Sequence, residues 1–395
     1  MEYTPLPYEV NLKEGIIIEI DSLFAALCTL HDKRDARGLR YALVTVLVFI
    51  SLAKLAGEDH LRGIAQWVRL RKEQLAEALG LAKVQAPHAT TYSRVLRNAV
   101  DVEEYERVAQ AFFRDQPGAG QSVLVCIDGK TLRGTIPAGQ SRGMHLLAAY
   151  VPEEGWVVMQ MEVQGHENEI PAAGRMVQCI DLRNKIVTGD AQLAQRELSV
   201  QVVQAGGEYV WVVKDNQSQL RADIAALFTP EDCAPGFSPT PKDFETAETR
   251  EKGHGRIERR TLTSSSMLKG YIDWPYAEQV FRIERRFVRV SDGLVQEETN
   301  YGVSSLTHGE ADAEQLLGLV RGHWGIENGL HYRRDETFRE DRCRITGQGA
   351  HVMAIINNMI LGLLLRQGVT NVPDARRYYD ANPEEAVKLL LLAPA

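Results

Sequence analysis

Apolar residues recur at helical spacing through the first part of the chain, and the pattern changes near residue 120. Six N-terminal segments have apolar residues three or four positions apart, which predicts helices at 22–31, 39–55, 61–68, 72–79, 90–100 and 102–114. The Gly- and Pro-containing stretch 115–120 predicts a linker. We therefore predict an N-terminal helical domain over residues 1–116. Two of its short helices fit a DNA-reading helix-turn-helix, and they fit a plain helical bundle equally well.

After the linker, strand-like runs alternate with helical ones. The predicted strands are 122–128, 144–151, 156–163, 185–188 and 209–213, and the predicted helices are 168–180, 194–205 and 217–227. This order predicts an α/β fold with a mixed sheet and helices on both faces, over residues 121–228. Residues 229–306 predict an all-β insertion with strands at 244–265 and 279–303. The helical period returns over 307–395, which we predict to complete the core and to end in C-terminal helices.

Composition indicates a globular protein of the cytoplasm. Of the 395 residues, 44% are apolar and 25% are charged, with no low-complexity tract. The five cysteines are odd in number and scattered, which favours reduced thiols over a disulfide framework or a zinc site. The N-terminus lacks the pattern of a signal peptide. The longest apolar runs, 41–53 and 354–365, fall short of the ~20 residues of a membrane span, so we predict buried helices and no membrane association.

The formal net charge of −8 argues mildly against nucleic-acid binding, but the charge is unevenly distributed. Residues 250–289 contain ten Lys or Arg against five Asp or Glu. A concentrated basic stretch is what contacts to a phosphate backbone require, whatever the overall balance. The sequence therefore leaves DNA binding open.

Two aspartates each follow a predicted buried strand. Asp128 ends the strand 122–128, and Asp190 follows the strand 185–188. A buried carboxylate is costly unless it is paired, hydrogen-bonded or bound to a metal ion. Asp128 could instead shape an Asp-Gly turn, and Asp190 could instead cap a helix. If the two strands are neighbours, their ends meet where reacting groups gather in such sheets, and the two aspartates could share a cation.

Glu327 is the third candidate. On a helix projected at about 100° per residue from Leu316, the apolar arc centres at about 10–20° and Glu327 falls at about 20°. An acid in the middle of a buried face needs a partner or a metal ion, and a salt bridge with Arg133 is the alternative. Three converging carboxylates suit Mg²⁺ or Mn²⁺, and two such ions about 4 Å apart can catalyse phosphodiester displacement.

Three motifs bear a family resemblance. Residues 127–134 (IDGKTLRG), 189–191 (GDA) and 323–331 (HWGIENGLH) resemble the bacterial insertion-sequence DDE transposases, and most closely the H-repeat-associated proteins. The resemblance extends over nearly the whole chain. It implies a ribonuclease-H-like core interrupted by the β-rich insertion, and a catalytic triad of Asp128, Asp190 and Glu327 that binds two Mg²⁺ (or Mn²⁺) ions.

The resemblance also implies basic residues that hold DNA phosphates. Related transposases have a Tyr…Arg…Glu…Lys signature around the glutamate, and here Val320, His323 and Arg334 occupy the Tyr, Arg and Lys positions. Arg333 and Arg339 are further candidates for the phosphate clamp, and a solvated surface charge is the alternative for any of these arginines. We predict DNA contacts from Lys130, Arg133, Lys214, Arg256, Arg259, Arg260, Arg321, His323 and Arg334.

These expectations define a metal-dependent transposase that acts at the bacterial nucleoid. It would cleave at the terminal inverted repeats of its element and join the freed 3′-hydroxyl to target double-stranded DNA, as a homodimer on DNA. The alternatives are a domesticated relative that only binds DNA and a nuclease of the same fold that cuts without joining.

Overall fold

The computed structural model describes residues 18–35, 37, 39–117, 119–230, 241–253 and 255–392. Contacts divide the chain into two units. The first consists of Met1–Ser122, Gly129–Gly165 and Glu327–Ala395, and the second consists of Val123–Asp128 and His166–Ile326. The predicted helical segment 1–116 lies in the first unit, and the predicted β-rich segment 229–306 lies in the second.

The N-terminal helices of the first unit match the apolar pattern. They are α1 (Leu23–Cys28), α2 (Leu43–Leu55), α3 (Leu61–Leu70), α4 (Lys72–Ala78), α5 (Ala89–Asn98) and α6 (Val102–Arg114). Polar residues that precede a helix set two of the starts, because Ser22 caps α1 and the Asp101 carboxylate accepts the amide of Glu104 in α6. Nearly every residue of α2 is buried, so α2 is a core helix of this unit.

The rest of the first unit contains an antiparallel strand pair and three more helices. β2 (Met144–Val151) and β3 (Trp156–Val163) form the predicted hairpin. The helices are α11 (Gln348–Arg366), α12 (Val372–Ala381) and α13 (Pro383–Leu391). α11 is long and apolar enough to cross a membrane by composition, but 89% of its most apolar window is buried inside the protein, where it contacts α5, α6 and β3. A central helix of a folded unit accounts for that composition.

The second unit is built on parallel strands. β1 (Leu124–Leu132) begins in this unit and continues into the first, and it pairs in parallel with β4 (Ile186–Gly189), which pairs in parallel with β5 (Glu208–Val213). The connecting helices are α7 (Glu169–Cys179), α8 (Arg196–Gln204) and α9 (Ser218–Phe228). Strands covered on both faces by helices are expected to be continuously apolar, and Leu124–Ile127 are all buried.

The predicted insertion continues the sheet of the core. Its strands are β6 (Glu245–Gly253), β7 (Arg256–Ser265), β8 (Gln279–Arg289) and β9 (Val295–Ser304), and we call these four the strand extension. β9 pairs antiparallel with β5, and β8, β7 and β6 follow in antiparallel order. α10 (Ala313–Ile326) packs its apolar face onto this part of the sheet, where Leu316 and Leu317 join the core formed by Val210, Leu262 and Phe281.

Nine strands therefore belong to one mixed sheet, in the order β3-β2-β1-β4-β5-β9-β8-β7-β6. Strands β1 to β5 alone give the order 3-2-1-4-5, which is that of a ribonuclease-H-like core. The predicted fold class, a mixed α/β core with N-terminal helices and a β-rich segment before the last part of the core, is confirmed. The β-rich segment extends the core sheet, because the edge strand β5 pairs with β9.

Candidate active-site carboxylates and their surroundings

Asp128 and Asp190 lie at neighbouring positions on two adjacent strands of the second unit, Asp190 directly after β4 and Asp128 within β1, which continues to Leu132. In the parallel pairing of β1 and β4, Ile127 is opposite Gly189, so the next residue of each strand is an aspartate. In parallel strands, the residues that follow an opposed pair are themselves neighbours. The structure thus brings the two aspartates to neighbouring positions, but the predicted strand end at Asp128 is wrong, because β1 continues to Leu132.

Asp190 is both a turn cap and a member of an acidic cluster. Its Oδ1 accepts the backbone amides of Gln192 (2.9 Å) and Leu193 (3.1 Å), which open a 3₁₀ turn. Partial desolvation raises the pKa of Asp190 above its ordinary value, and the negative charges of Glu169 and Asp128 raise it further, against the lowering effect of the two amides. Because both amides bind Oδ1, Oδ2 is the oxygen left to face a cation.

Glu169 is the member of this cluster that sequence reasoning missed. It is the first residue of α7, where an acidic residue is commonplace because the helix dipole favours it. Its electrostatic effect on Asp190 shows that it lies near the strand ends. An acid in the first turn of the helix that follows β3 was the available indication, and it did not distinguish Glu169 from an ordinary capping residue.

The predicted burial of Glu327 is wrong. Its side chain is 62% exposed, and it begins a π-helical stretch, Glu327–His331, that follows α10 in the first unit. The projection from Leu316 assumed a regular α-helix, whereas α10 ends at Ile326 and a π-helical stretch follows. In the π-helical turns, Leu330 and His331 are buried and Glu327 faces outward, with Oε2 3.9 Å from Nδ1 of His331.

The last turn of α10 is tied to the strands that precede the two aspartates. The Thr188 hydroxyl lies 3.3 Å from Nδ1 of His323 and 3.4 Å from the Cys126 sulfur, and Cys126 also contacts the carbonyl oxygen of Gly322 at 3.5 Å. Burial raises the pKa of the Cys126 thiol to about 12, so this sulfur is a neutral packing group. His323, a predicted phosphate ligand, is partly buried in this arrangement.

Two predicted DNA contacts in the first unit differ in exposure. Lys130 is buried, with its Nζ 2.5 Å from Oδ1 of Asp335. Arg133 is 78% exposed and lies 3.6 Å from Asp341. In the second unit, Lys214 is exposed at the end of β5. Arg133 and Lys214 therefore have the accessibility that a phosphate contact needs, and Lys130 is engaged inside the protein.

Arg334 cannot serve as the predicted DNA contact in this structure. It is completely buried, where Nε donates to Oε2 of Glu340 (2.8 Å) and Nη1 donates to Oε1 of Gln160 (2.9 Å). Asn357 donates to the other carboxylate oxygen of Glu340 at 2.9 Å. A buried guanidinium with a paired carboxylate supports the interior of the first unit, and the matching position in the family signature did not reveal this burial.

The arginines predicted to hold DNA on the strand extension are paired with acids of the same unit. Arg260 is buried and pairs with Glu258 and with Glu251, each at 2.9 Å. The remaining pairs on these strands are Arg256 with Glu258 and Arg259 with Glu248, and Arg321 of α10 pairs with Glu251 of β6. The charge count explains this neutralisation, because residues 241–306 contain eleven Lys or Arg and eleven Asp or Glu. The basic excess counted over 250–289 disappears when the flanking acids are included.

Two of these arginines also position α10. The guanidinium groups of Arg260 and Arg285 both contact the Trp324 ring, at 5.3 and 5.2 Å from its centroid. Both arginines pair with the buried carboxylate of Glu258. Stacking and pairing of this kind fix the guanidinium planes, so these side chains hold the C-terminal turn of α10 against β7 and β8.

Two known families match successive parts of the chain. Residues 24–113 match the family described as DDE_Tnp_1-associated, and residues 119–363 match the Transposase DDE domain. The chain is 26% identical over 353 residues to "Putative transposase YncI" of Escherichia coli O157:H7, with 88% of each chain covered. It is 24% identical over 362 residues to "H repeat-associated putative transposase YhhI" of Escherichia coli (strain K12), with 89% of this chain and 92% of the relative covered.

Two further similarities are weaker in what they imply. The chain is 31% identical over 283 residues to "Uncharacterized protein in dhlA 3'region" of Xanthobacter autotrophicus, with 70% of this chain and 91% of the relative covered. A chain of the piggyBac transposase synaptic complex with hairpin DNA aligns with 96% of this chain and 79% of that one, at 12% identity and a TM-score of 0.42, too low to support an argument. The match to the DDE domain spans more than half of the sequence and includes both aspartates and Glu327, and on that basis this chain belongs to the DDE transposase family.

Proposed function

We propose that this transposase holds divalent metal ions on Asp128, Asp190 and Glu327 and uses them to cut element ends and join them to target DNA. The single observation that supports this most is the register of β1 and β4, which places Asp128 and Asp190 at neighbouring positions. Glu327 is proposed as the third ligand on its position in the family motif and on its exposure after α10.

The chemistry of the donor groups fits a hard cation. Carboxylate oxygens are the preferred ligands of Mg²⁺ and Mn²⁺, and Mg²⁺ retains water alongside one or two carboxylates. Asp128, Asp190 and Glu169 place several negative charges near one another, and the pKa of Asp190 is raised first by burial and then by the charges of Glu169 and Asp128. A bound cation would relieve the repulsion between these charges and hold both aspartates ionised. Two ions, when bound, stabilise the attacking and leaving oxygens of a phosphodiester displacement.

The proposed reaction has two balanced steps. Water attacks a phosphorus atom at the element end, and the bridging P–O bond breaks to leave a 3′-hydroxyl and a 5′-phosphate. The 3′-hydroxyl then attacks a phosphodiester of the target, forming one P–O bond while another breaks to release a target 3′-hydroxyl. The chain's own contribution is to position the groups that act on the phosphate, and two backbone amides fix the Asp190 carboxylate that would hold a cation there.

Double-stranded DNA is the partner that this function requires, as terminal inverted repeats and as target. A homodimer on DNA is proposed because two ends must be processed together. Arg133 and Lys214 are the predicted phosphate contacts whose exposure supports that role.

The test is an end-cleavage and joining assay with Mg²⁺ on duplexes that carry the inverted repeats flanking the gene. Asp128→Asn, Asp190→Asn and Glu327→Gln should each reduce cleavage by more than about 100-fold, the upper cost of losing a residue that merely supports a ligand. Glu314→Gln is the matched control, since Glu314 is an exposed acid of α10, and it should cleave normally. Cleavage by Glu327→Gln at the wild-type rate would refute the triad. Cut ends without joined products would indicate a nuclease.

A further inference from the structure

An arginine-lined cavity in the first unit belongs to none of the sites described above. It has a volume of about 590 Å³ and lies between the segment that precedes α2 and the start of α5. Its basic lining residues are Arg34, Arg37, Arg40, His88 and Arg94. We call this cavity the arginine cleft. All of its lining residues lie in the first unit, and none is a candidate catalytic residue.

Three of its arginines are not neutralised. Arg34 is held by Asp32 through a two-point contact of 2.8 and 2.6 Å, and Arg37, Arg40 and Arg94 are exposed. Across the described ranges of the chain, these three make no ion pair with an acid. The carboxylate of Asp35, on the cavity wall, accepts the backbone amide of Arg37 at 2.8 Å. The strand extension differs, because its arginines form ion pairs with acids of the same unit.

The positive surface continues from the cleft along α5. This helix of ten residues begins at the cleft, so its N-terminal dipole adds to the positive potential there. Arg94 and Arg97 are three residues apart and therefore lie on one face, about 4.5 Å apart along the axis. Arg97 donates to the Thr346 hydroxyl at 3.2 Å, two residues from the exposed Arg344.

We propose that the arginine cleft and the exposed face of α5 bind the phosphodiester backbone of duplex DNA. A single small anion would need only the cleft. A row of guanidinium groups about one helical turn apart suits successive phosphates, which are about 3.4 Å apart along each strand of a duplex. Guanidinium groups bind phosphate oxygens in a bidentate manner and position a duplex without reading its bases. The inference rests on the transposase function, which supplies duplex DNA as the partner.

The experiment measures binding of the full chain to a labelled duplex in EDTA, so that no cleavage is needed. The variant Arg40→Gln/Arg94→Gln removes two unneutralised charges. The matched control, Arg114→Gln/Arg183→Gln, removes two exposed arginines that pair with Asp115 and with Asp181. The cleft variant should bind the duplex at least roughly tenfold more weakly. The slope of log K against log salt should become shallower by about 1.8, because each of the two lost phosphate contacts removes about 0.9. The control should keep the wild-type affinity and slope.

Further arms separate the sources of the effect. Arg40→Lys/Arg94→Lys should recover most of the salt slope, because the charge returns, and all variants should unfold at the wild-type temperature. An unchanged affinity and slope in the cleft variant would overturn the proposal. The proposal would also be overturned if inorganic phosphate alone bound at the cleft while the affinity for the duplex stayed unchanged. Binding is measured in EDTA and needs no cleavage, so a failure of the catalytic proposal leaves this result readable on its own.

Discussion

Replacing Arg334 tests whether this residue stabilises the interior or contacts DNA. The substitution Arg334→Met keeps much of the side-chain volume and removes the charge that faces Glu340. Both partners are buried, with Arg334 at 0% and Glu340 at 5% exposure. Breaking a buried pair on one side leaves an uncompensated charge, which costs about 3–5 kcal/mol. We therefore expect a large loss of stability and no specific effect on DNA affinity of the folded fraction.

The corresponding shift in Tm can be worked out from chain length. An unfolding entropy of about 2.1 cal/mol/K per residue gives about 0.8 kcal/mol/K for the full chain, so Tm should fall by about 4–6 °C. Calorimetry of wild type and variant measures this shift. The double variant Arg334→Met/Glu340→Gln should recover part of the loss, because the buried charge is then gone. A variant with wild-type Tm and weakened DNA binding would refute the structural role.

The same pair predicts a pH dependence. Burial acts to raise the pKa of Glu340, but the charge and hydrogen bond of Arg334 outweigh it, with help from Asn357 and Lys130, and the pKa lies below its ordinary value. A lowered pKa in the folded state contributes stability that is present above the unfolded pKa, about 4.3, and is lost as pH falls through the folded pKa. In Arg334→Met, Asn357 and Lys130 remain but the main contribution that opposes burial is lost, so the pKa of Glu340 should rise. The Tm difference between wild type and variant should therefore shrink on acidification towards pH 4, and a constant difference would contradict this account.

Two further substitutions test the packing around the sheet and α10. Gly302→Ala should cost about 3 kcal/mol or more in urea unfolding, because the new Cβ would overlap the Phe281 ring and the backbone of β5, whereas Gly318→Ala, where a Cβ meets nothing, should be neutral or stabilising. Equal stability of the two variants would contradict the close approach. Trp324→Leu should cost about 1–2 kcal/mol by loss of the two guanidinium contacts and should slow cleavage without weakening DNA binding, as measured by parallel cleavage and anisotropy assays. Wild-type stability and cleavage would show that the stacking does not position α10.

The placement of the two aspartates could be predicted because it depends on local rules. A buried strand is recognisable from a short apolar run, and parallel neighbours present their ends at one edge. Asp128 and Asp190 each follow such a run, so the register of β1 and β4 was the only step that required the structure. The catalytic role of these residues remains a proposal that the cleavage assay tests.

The errors arose where the outcome depends on contacts between distant segments. The projection of Glu327 used one α-helical period along a stretch that changes to π-helical turns after Ile326. The sequence does not show that change. The basic stretch 250–289 was neutralised by acids on paired strands, such as Glu248 on β6 opposite β7. The burial of Arg334 depends on Glu340 and on Gln160 of β3, which is 174 residues away in the chain.

The hydrogen bonds of Asp190 have a consequence for the evolution of the element. An asparagine at that position still has a side-chain oxygen that can accept the two amides, so one nucleotide change could abolish cutting while leaving the turn intact. Such a copy would occupy the ends of intact elements and act as a competitor of its own parent. Adding the Asp190→Asn protein to wild type should then inhibit joining in proportion to its share of the mixture, and undiminished joining would rule out this route to self-silencing.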